Sequence, residues 1–344
     1  MANPVIVEIV RNGVVDSFHR AAWALADPDG NVLWSGGDID RPVFLRSCSK
    51  IFQTIPVIET GAADRFGFTD AELAVMTSSH SGEPVHQEAV RSILRKAWLD
   101  ESYLRCGPHP PFHAPTRHEL YRKGEKPAPI HNNCSGKHAG MLALAVHIGA
   151  DLEGYTEAGH PVQKVVKRAF ARMACIDEDF PVGFDGCDVP AFIVPLRHAA
   201  RAAARFADPS SIEDPSLAKA VRRLSRALLA EPYMLAGEGR FCTALARAGE
   251  GRVIGKTGAE ASYIAAVPRD GTGLAMKVDD GAWRASYAFL ARVFYEMGLL
   301  GGPHFPEMEP FLHPKTFNHV GREVGFTRVP DSALHSLPRP GGTP

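Results

Sequence analysis

With 344 residues, 45% of them hydrophobic and 22% charged, the chain has the makeup of a globular protein with room for one large domain or two ordinary ones. A formal net charge of −1 gives no electrostatic reason to expect nucleic acid or an anionic membrane as partner, and the longest apolar stretch, Ala139 to Ala150, is too short to span a bilayer. Six cysteines without a secretion signal predict reduced thiols and a cytoplasmic setting.

In chain order, Val5 to Val10 reads as a strand turned by Arg11-Asn12-Gly13, a second strand runs from about His19 to Ala26, and a third from Val32 to Ser35 closes on Gly36-Gly37. Ile51 to Thr60, stopped by Gly61, predicts a helix kinked at Pro56, and Asp70 to Met76 a second. Pro161 opens a helix with Val162, Val165, Val166, Ala169, Phe170 and Met173 at helical spacing; Lys164, Lys167, Arg168 and Arg172 fall on the polar side and read as a solvated face. Phe192 to Phe206 predicts an alanine-rich helix interrupted by Pro195, and Leu217, Val221, Leu224 and Leu228 another before Pro232. Strands at Arg252 to Lys256, Ser262 to Val267 and Leu274 to Val278 precede a helix from about Trp283 to Leu299. Strands thus come first and last with helices between. That order predicts an α+β fold with a central antiparallel sheet formed by both chain ends, in a single domain 1–329 with a helical insert at roughly 62–250 and a mobile tail 330–344.

Two short motifs carry chemistry. Ser47-Cys48-Ser49-Lys50 is S-x-x-K and Lys256-Thr257-Gly258 is K-T-G, the pair that marks serine β-lactamases and penicillin-binding proteins. Serine needs a base to become a nucleophile, and on a helix residues i and i+3 are neighbours, so Lys50 is expected to reach Ser47. Taken alone, each motif also reads as a helix cap or a turn. Ser79-His80-Ser81 stands where such enzymes carry S-x-N, with serine in place of asparagine; it also reads as a polar capping loop. Asn132 to His138 places a thiol, a lysine and a histidine just before an apolar helix, and Asp185 to Pro190 forms a second polar turn. From spacing alone Cys134 and Cys187 match no zinc pattern and read as packing residues.

Arg46 to Lys50, Ser79 to Glu83, Asn133 to His138, Asp185-Gly186-Cys187, Arg240 to Thr243 and Gly255 to Gly258, in this order, resemble the class 3, or rhizobial-type, L-asparaginases. The resemblance covers about residues 5–325. It implies a serine β-lactamase-like fold, a homodimer, and hydrolysis of L-asparagine by two Ser-Lys tandems, here Ser47 with Lys50 and Ser79 with Lys256. It also implies Zn2+ bound by Cys134, Lys137 and Cys187. Asp185 and His138 match positions that support the metal or touch substrate, Cys242 matches an active-site cysteine, and Arg46 lies in the first motif. By analogy, the N–H groups of Ser47 and Ala259 would hold the oxyanion. Cys48, inside the S-x-x-K, projects from another face and is expected to matter little. The competing readings are another β-lactamase-like amidase (a glutaminase, peptidase or esterase) and a non-catalytic zinc or amino-acid binder. A cytoplasmic setting argues against a penicillin-binding protein or lactamase.

Overall fold

The computed structural model describes residues 2–338, folded into two compact units. One is built from the chain up to Leu45, from Val194–Asp208, and from Ala244 on; the other from Arg46–Ile193 and Pro209–Thr243.

The first unit carries an antiparallel sheet of eight strands among the described residues. Strand order is Lys315–Phe317, Glu323–Arg328, Val5–Arg11, Val14–Ala26, Thr272–Val278, Ser262–Val267 and Ile254–Thr257, with Val32–Gly36 on the far part of Val14–Ala26. Both chain ends contribute, as the element order predicts, and the fold class is α+β.

Alternation assigns the faces of the sheet. Trp23 points to one side, where its ring lies 5.1 Å from Phe289 on the helix Trp283–Glu296. Ala24 pairs with Ala275 and Ala26 with Gly273 on the other, beneath the helix Leu196–Ala207. A Cβ on Gly273 would lie 2.1 Å from Ala204 N and 2.3 Å from Ala200 O, so the absence of a side chain there lets the helix backbone seat directly on the strand.

Two elements differ from the sequence reading. Phe192 to Phe206 is not one helix: Pro190–Pro195 is a strand and the helix begins at Leu196. Pro195 cannot donate in a helix and biases the residue before it toward extended backbone, so it divides the two. The stretch after the helix Trp283–Glu296, for which the sequence predicts no element, holds two strands, Lys315–Phe317 and Glu323–Arg328, of which the second pairs with Val5–Arg11 (Val10 opposite Phe326). Nor is the segment after 330 loose up to residue 338: Ala333, Leu334 and Leu337 are buried and Trp34 Nε1 donates to His335 O at 3.0 Å. The rest of the predicted mobile tail, 339–344, lies outside the described residues.

The second unit is helical. Its centre is Lys50–Glu59, in which residues 50 to 58 are all buried, packed by the helices Ser135–Ile148, Pro161–Ala174 and Pro215–Ala230. Pro56 lies inside this helix, and Thr60 N and Oγ1 both donate to its carbonyl. The helix Ser135–Ile148 also meets Asp70–Thr77 at close range, because Gly136 leaves room for Val75 O, which a Cβ would approach to 2.2 Å.

Asp70–Thr77 starts on a reciprocal cap: Thr69 N donates to Glu72 Oε2 at 2.7 Å and Glu72 N to Thr69 Oγ1 at 3.3 Å. Glu72 also accepts from Ser92 Oγ (2.7 Å) and Lys96 Nζ (2.6 Å). Burial alone would raise its carboxyl, but these partners hold it below its ordinary value of 4.5. The folded state therefore binds the proton less readily, so this contribution to stability is present above the ordinary value and is lost as pH falls through the lowered one. We expect Glu72→Gln to cost about 1–3 kcal/mol near neutrality and less in acid, read by urea melts at both pH values. Among the described residues no helix is long and apolar enough to cross a membrane.

Candidate active site

The S-x-x-K segment enters the helical unit on a backbone twist. Arg46 has φ +52°, left-handed for a non-glycine residue, and Arg46–Ser49 forms a 3-10 turn, so the α-helix proper starts at Lys50. The expected contact between Lys50 and Ser47 is not the one formed. Lys50, 1% exposed, donates from Nζ to Ser78 O at 2.6 Å and Asn133 O at 3.3 Å, and lies 3.2 Å from Ser79 Oγ. Ser47 is half-exposed, whereas Ser79 is buried.

This seat has a chemical consequence. A carbonyl can only accept, so two of the Nζ positions must carry hydrogens toward Ser78 and Asn133. The remaining direction faces a hydroxyl, which can accept from an ammonium or donate to the lone pair of an amine. One proton can therefore move along the Lys50–Ser79 line without disturbing the other two bonds.

The loop bearing Ser79 is fixed by its neighbours. Gly82 N donates to His80 Nδ1 at 3.1 Å, which assigns the ring proton to Nε2, 2.9 Å from Ser135 Oγ; that hydroxyl passes its own hydrogen to Ile130 O. Burial, then the charges of His86 and Lys50, push the imidazole well below its ordinary value, so it is a neutral strut. Ser81 Oγ donates to Ala236 O (2.8 Å) and accepts from Arg240 Nη1 (3.0 Å). Tyr233 OH donates to Glu83, which also accepts from Glu238 N at 3.1 Å.

On the opposite side of Lys50, Asn132 Nδ2 donates to Cys106 O (2.8 Å) and Asn132 Oδ1 accepts from Cys134 N (2.9 Å). These bonds hold the turn that presents Asn133 O to Lys50 and places Cys134 at the cap of the helix Ser135–Ile148. One turn into that helix, Lys137 donates to Cys187 Sγ at 3.0 Å. The hydrogen bond from Cys187 pulls the Cys134 thiol well below its ordinary value and drives Cys187 up. Burial alone would lower Lys137, but the two sulfurs and Asp185 override it and push the ammonium up. Asp185 is itself held below the usual carboxylate range against its burial, by Lys137 and by Arg46, whose Nε donates to Asp185 Oδ1 at 2.9 Å. His138 is fully buried, with Nδ1 2.7 Å from Tyr155 OH, and burial and Lys137 keep it neutral.

The helical unit thus brings Arg46, Lys50, Ser79, Cys134, Lys137 and Asp185 with Cys187 into one buried polar network, through Lys50 on one side and Lys137 on the other. Cys242 sits buried at the start of the helix Phe241–Gly249. In the sheet-bearing unit, Lys256 is fully buried with Nζ 2.7 Å from Thr257 O, and Ala259 opens a tight turn in which Glu260 and Ala261 have φ +55° and +50°. Trp283 Nε1 braces that turn by donating to Gly258 O at 2.9 Å. All six cysteines are free thiols. Among the described residues no three His, Cys, Asp or Glu side chains gather closely enough to hold a metal ion. The sequence reading placed Asn132 and Ser135 inside the Asn132 to His138 motif without a role of their own, and it missed Tyr233. The role of Tyr233 rests on its contact with Glu83 far along the chain, which no local spacing signals.

A solved structure of a β-lactamase from Mycobacterium bovis is similar to this chain at 13% identity and a TM-score of 0.42, the match covering 80% of this chain and 94% of that one. No curated protein matches. The family model of L-asparaginase II matches residues 7–329. The chain therefore belongs to the L-asparaginase II family and is an asparaginase-type amidohydrolase.

Proposed function

We propose that this protein hydrolyses the side-chain amide of L-asparagine to L-aspartate and ammonia through an acyl-enzyme on serine. The observation that carries the mechanism is the buried Lys50, hydrogen-bonded to Ser79 Oγ at 3.2 Å with its two other directions anchored on carbonyls. Ser47, half-exposed one turn before Lys50, is open to substrate and is the nucleophile. It attacks the amide carbon as its proton passes by way of the Ser79 hydroxyl to Lys50, whose one direction not held by a carbonyl faces Ser79 Oγ. Ser79 carries that proton from Lys50 to the departing ammonia; water then cleaves the ester as it gives a proton to Lys50 along the same line, and this proton returns to Ser47 Oγ as L-aspartate leaves, so Lys50 ends neutral again. A second reading, with Ser79 as nucleophile, is favoured by its direct contact with Lys50. Lys256 and Ala259 enter the proposal through the family pattern alone, as does a homodimer as the assembly.

Zinc fits the donor set at Cys134, Lys137 and Cys187, two sulfurs and an amine nitrogen buried together, provided Lys137 gives up the proton it now donates to Cys187 Sγ, which would make binding pH-dependent. Bound there, zinc supplies a fixed positive charge that orients substrate. Asp185 and Arg46 then hold the Cys187 turn in place. We expect wild type to retain zinc through gel filtration and Cys187→Ala to lose it; equal retention in both would remove Cys187 as a ligand.

Substrate is tested by ammonia release from L-asparagine, L-glutamine and, for ring opening, a chromogenic lactam. Turnover of L-asparagine above the other two supports the proposal. Preference for glutamine or the lactam supports another amidase, and saturable asparagine binding without ammonia release supports a binder.

A further inference from the structure

The helix Pro215–Ala230 buries Leu217, Val221, Leu224 and Leu228 and turns Lys219, Arg222, Arg223 and Arg226 to one other face, at the spacing that lines up side chains on a helix. Lys219, Arg222 and Arg226 on that face are exposed to solvent. The face lines one wall of an open cleft of about 740 Å³, whose other wall is Ile58 to Gly61 and Asp64. This volume falls among those of small-molecule sites, roughly 300–1,000 Å³.

The charges in the cavity do not balance. Of its two carboxylates, Glu59 is taken by Arg172 at 2.7 Å and Asp64 by Arg223. The nearest carboxylate to Arg226 is Asp70, 3.9 Å away, and among the described residues Lys219 and Arg222 meet none. The carbonyls ending the helix Lys50–Glu59 would repel an anion, but Ile58 O and Pro56 O already accept from Gly61 N and Thr60 N. Unspent positive charge therefore faces a hollow large enough for a ligand.

We infer that this cavity binds a compact, multiply charged anionic small molecule, with phosphate or clustered carboxylate groups held by Lys219, Arg222 and Arg226. The site uses none of the residues placed in catalysis. The test is calorimetric titration of the full-length protein with inorganic pyrophosphate and, separately, citrate, at one fixed ionic strength. Saturable binding is expected, weakened about tenfold or more in Lys219→Ala/Arg222→Ala and unchanged in Lys164→Ala, a lysine of the other basic face. Ammonia release without added anion should be the same in all three, which shows that the variants are folded. Binding of pyrophosphate but not citrate assigns the site to phosphates, of citrate but not pyrophosphate to polycarboxylates, and of both to compact polyanions in general. No saturable binding of either probe, or equal binding by wild type and the double variant, overturns the inference.

Discussion

Lys50→Met is expected to lower ammonia release from L-asparagine by about 10³-fold, within the range for loss of a general base. Methionine fills the space of the lysine stem but offers neither proton nor lone pair to Ser79 Oγ, 3.2 Å from Nζ. The substitution also strips a donor from Ser78 O and Asn133 O, which costs stability at about 1–3 kcal/mol for each carbonyl left buried and unpaired. Thermal melts must therefore accompany the rates. Lys50→Arg separates the two roles: a guanidinium can still donate to the carbonyls but does not lose its proton at working pH. A folded, inactive Lys50→Arg variant marks proton transfer as the task of Lys50. Recovered activity would reduce Lys50 to a fixed charge and remove the base from the mechanism.

Gly273→Ala is expected to be the costlier change for stability, at about 3 kcal/mol. The new Cβ would meet Ala204 N at 2.1 Å, Ala200 O at 2.3 Å and Ala203 C at 2.5 Å. All three are backbone atoms of the helix Leu196–Ala207, so no side-chain rotation relieves the clash. Helix and strand must separate, and the alanine-rich layer between them opens. Gly159→Ala is the matched control, because nothing lies within 4 Å of its Cβ position, and its effect should stay within about 0.5 kcal/mol. Calorimetric melts of both variants decide: a Gly273→Ala protein as stable as the control would mean the sheet and helix yield more easily than their spacing implies.

Residues that obey local rules were readable in the sequence. Ser262–Val267 has the bounds its apolar run predicts, and the helices at Pro161 and Leu217 follow their periodicity. Pro195 was seen as a break but assigned to the inside of a helix, because a short apolar run such as Pro190–Pro195 has no period that tells strand from helix. Glu323–Arg328 escaped notice since its ordering comes from pairing with Val5–Arg11, more than three hundred residues away. At the site, S-x-x-K and the cysteine-lysine motifs were legible as residue types. The actual partner of Lys50 was not. It goes with Arg46 adopting φ +52° and with the helix starting only at Lys50, neither of which the tetrapeptide signals.

The central claim, a serine acyl-enzyme acting on asparagine, is tested most directly by the rate of aspartate and ammonia formation from L-asparagine in wild type, Ser47→Ala and Ser79→Ala, each supplied with zinc. The account predicts that wild type forms the two products in equal amounts and that Ser47→Ala falls by about 10³-fold or more, with Ser79→Ala reduced as well. A full rate in Ser47→Ala with loss in Ser79→Ala would move the attack to Ser79. No ammonia from wild type, or full activity in both variants, would contradict the account.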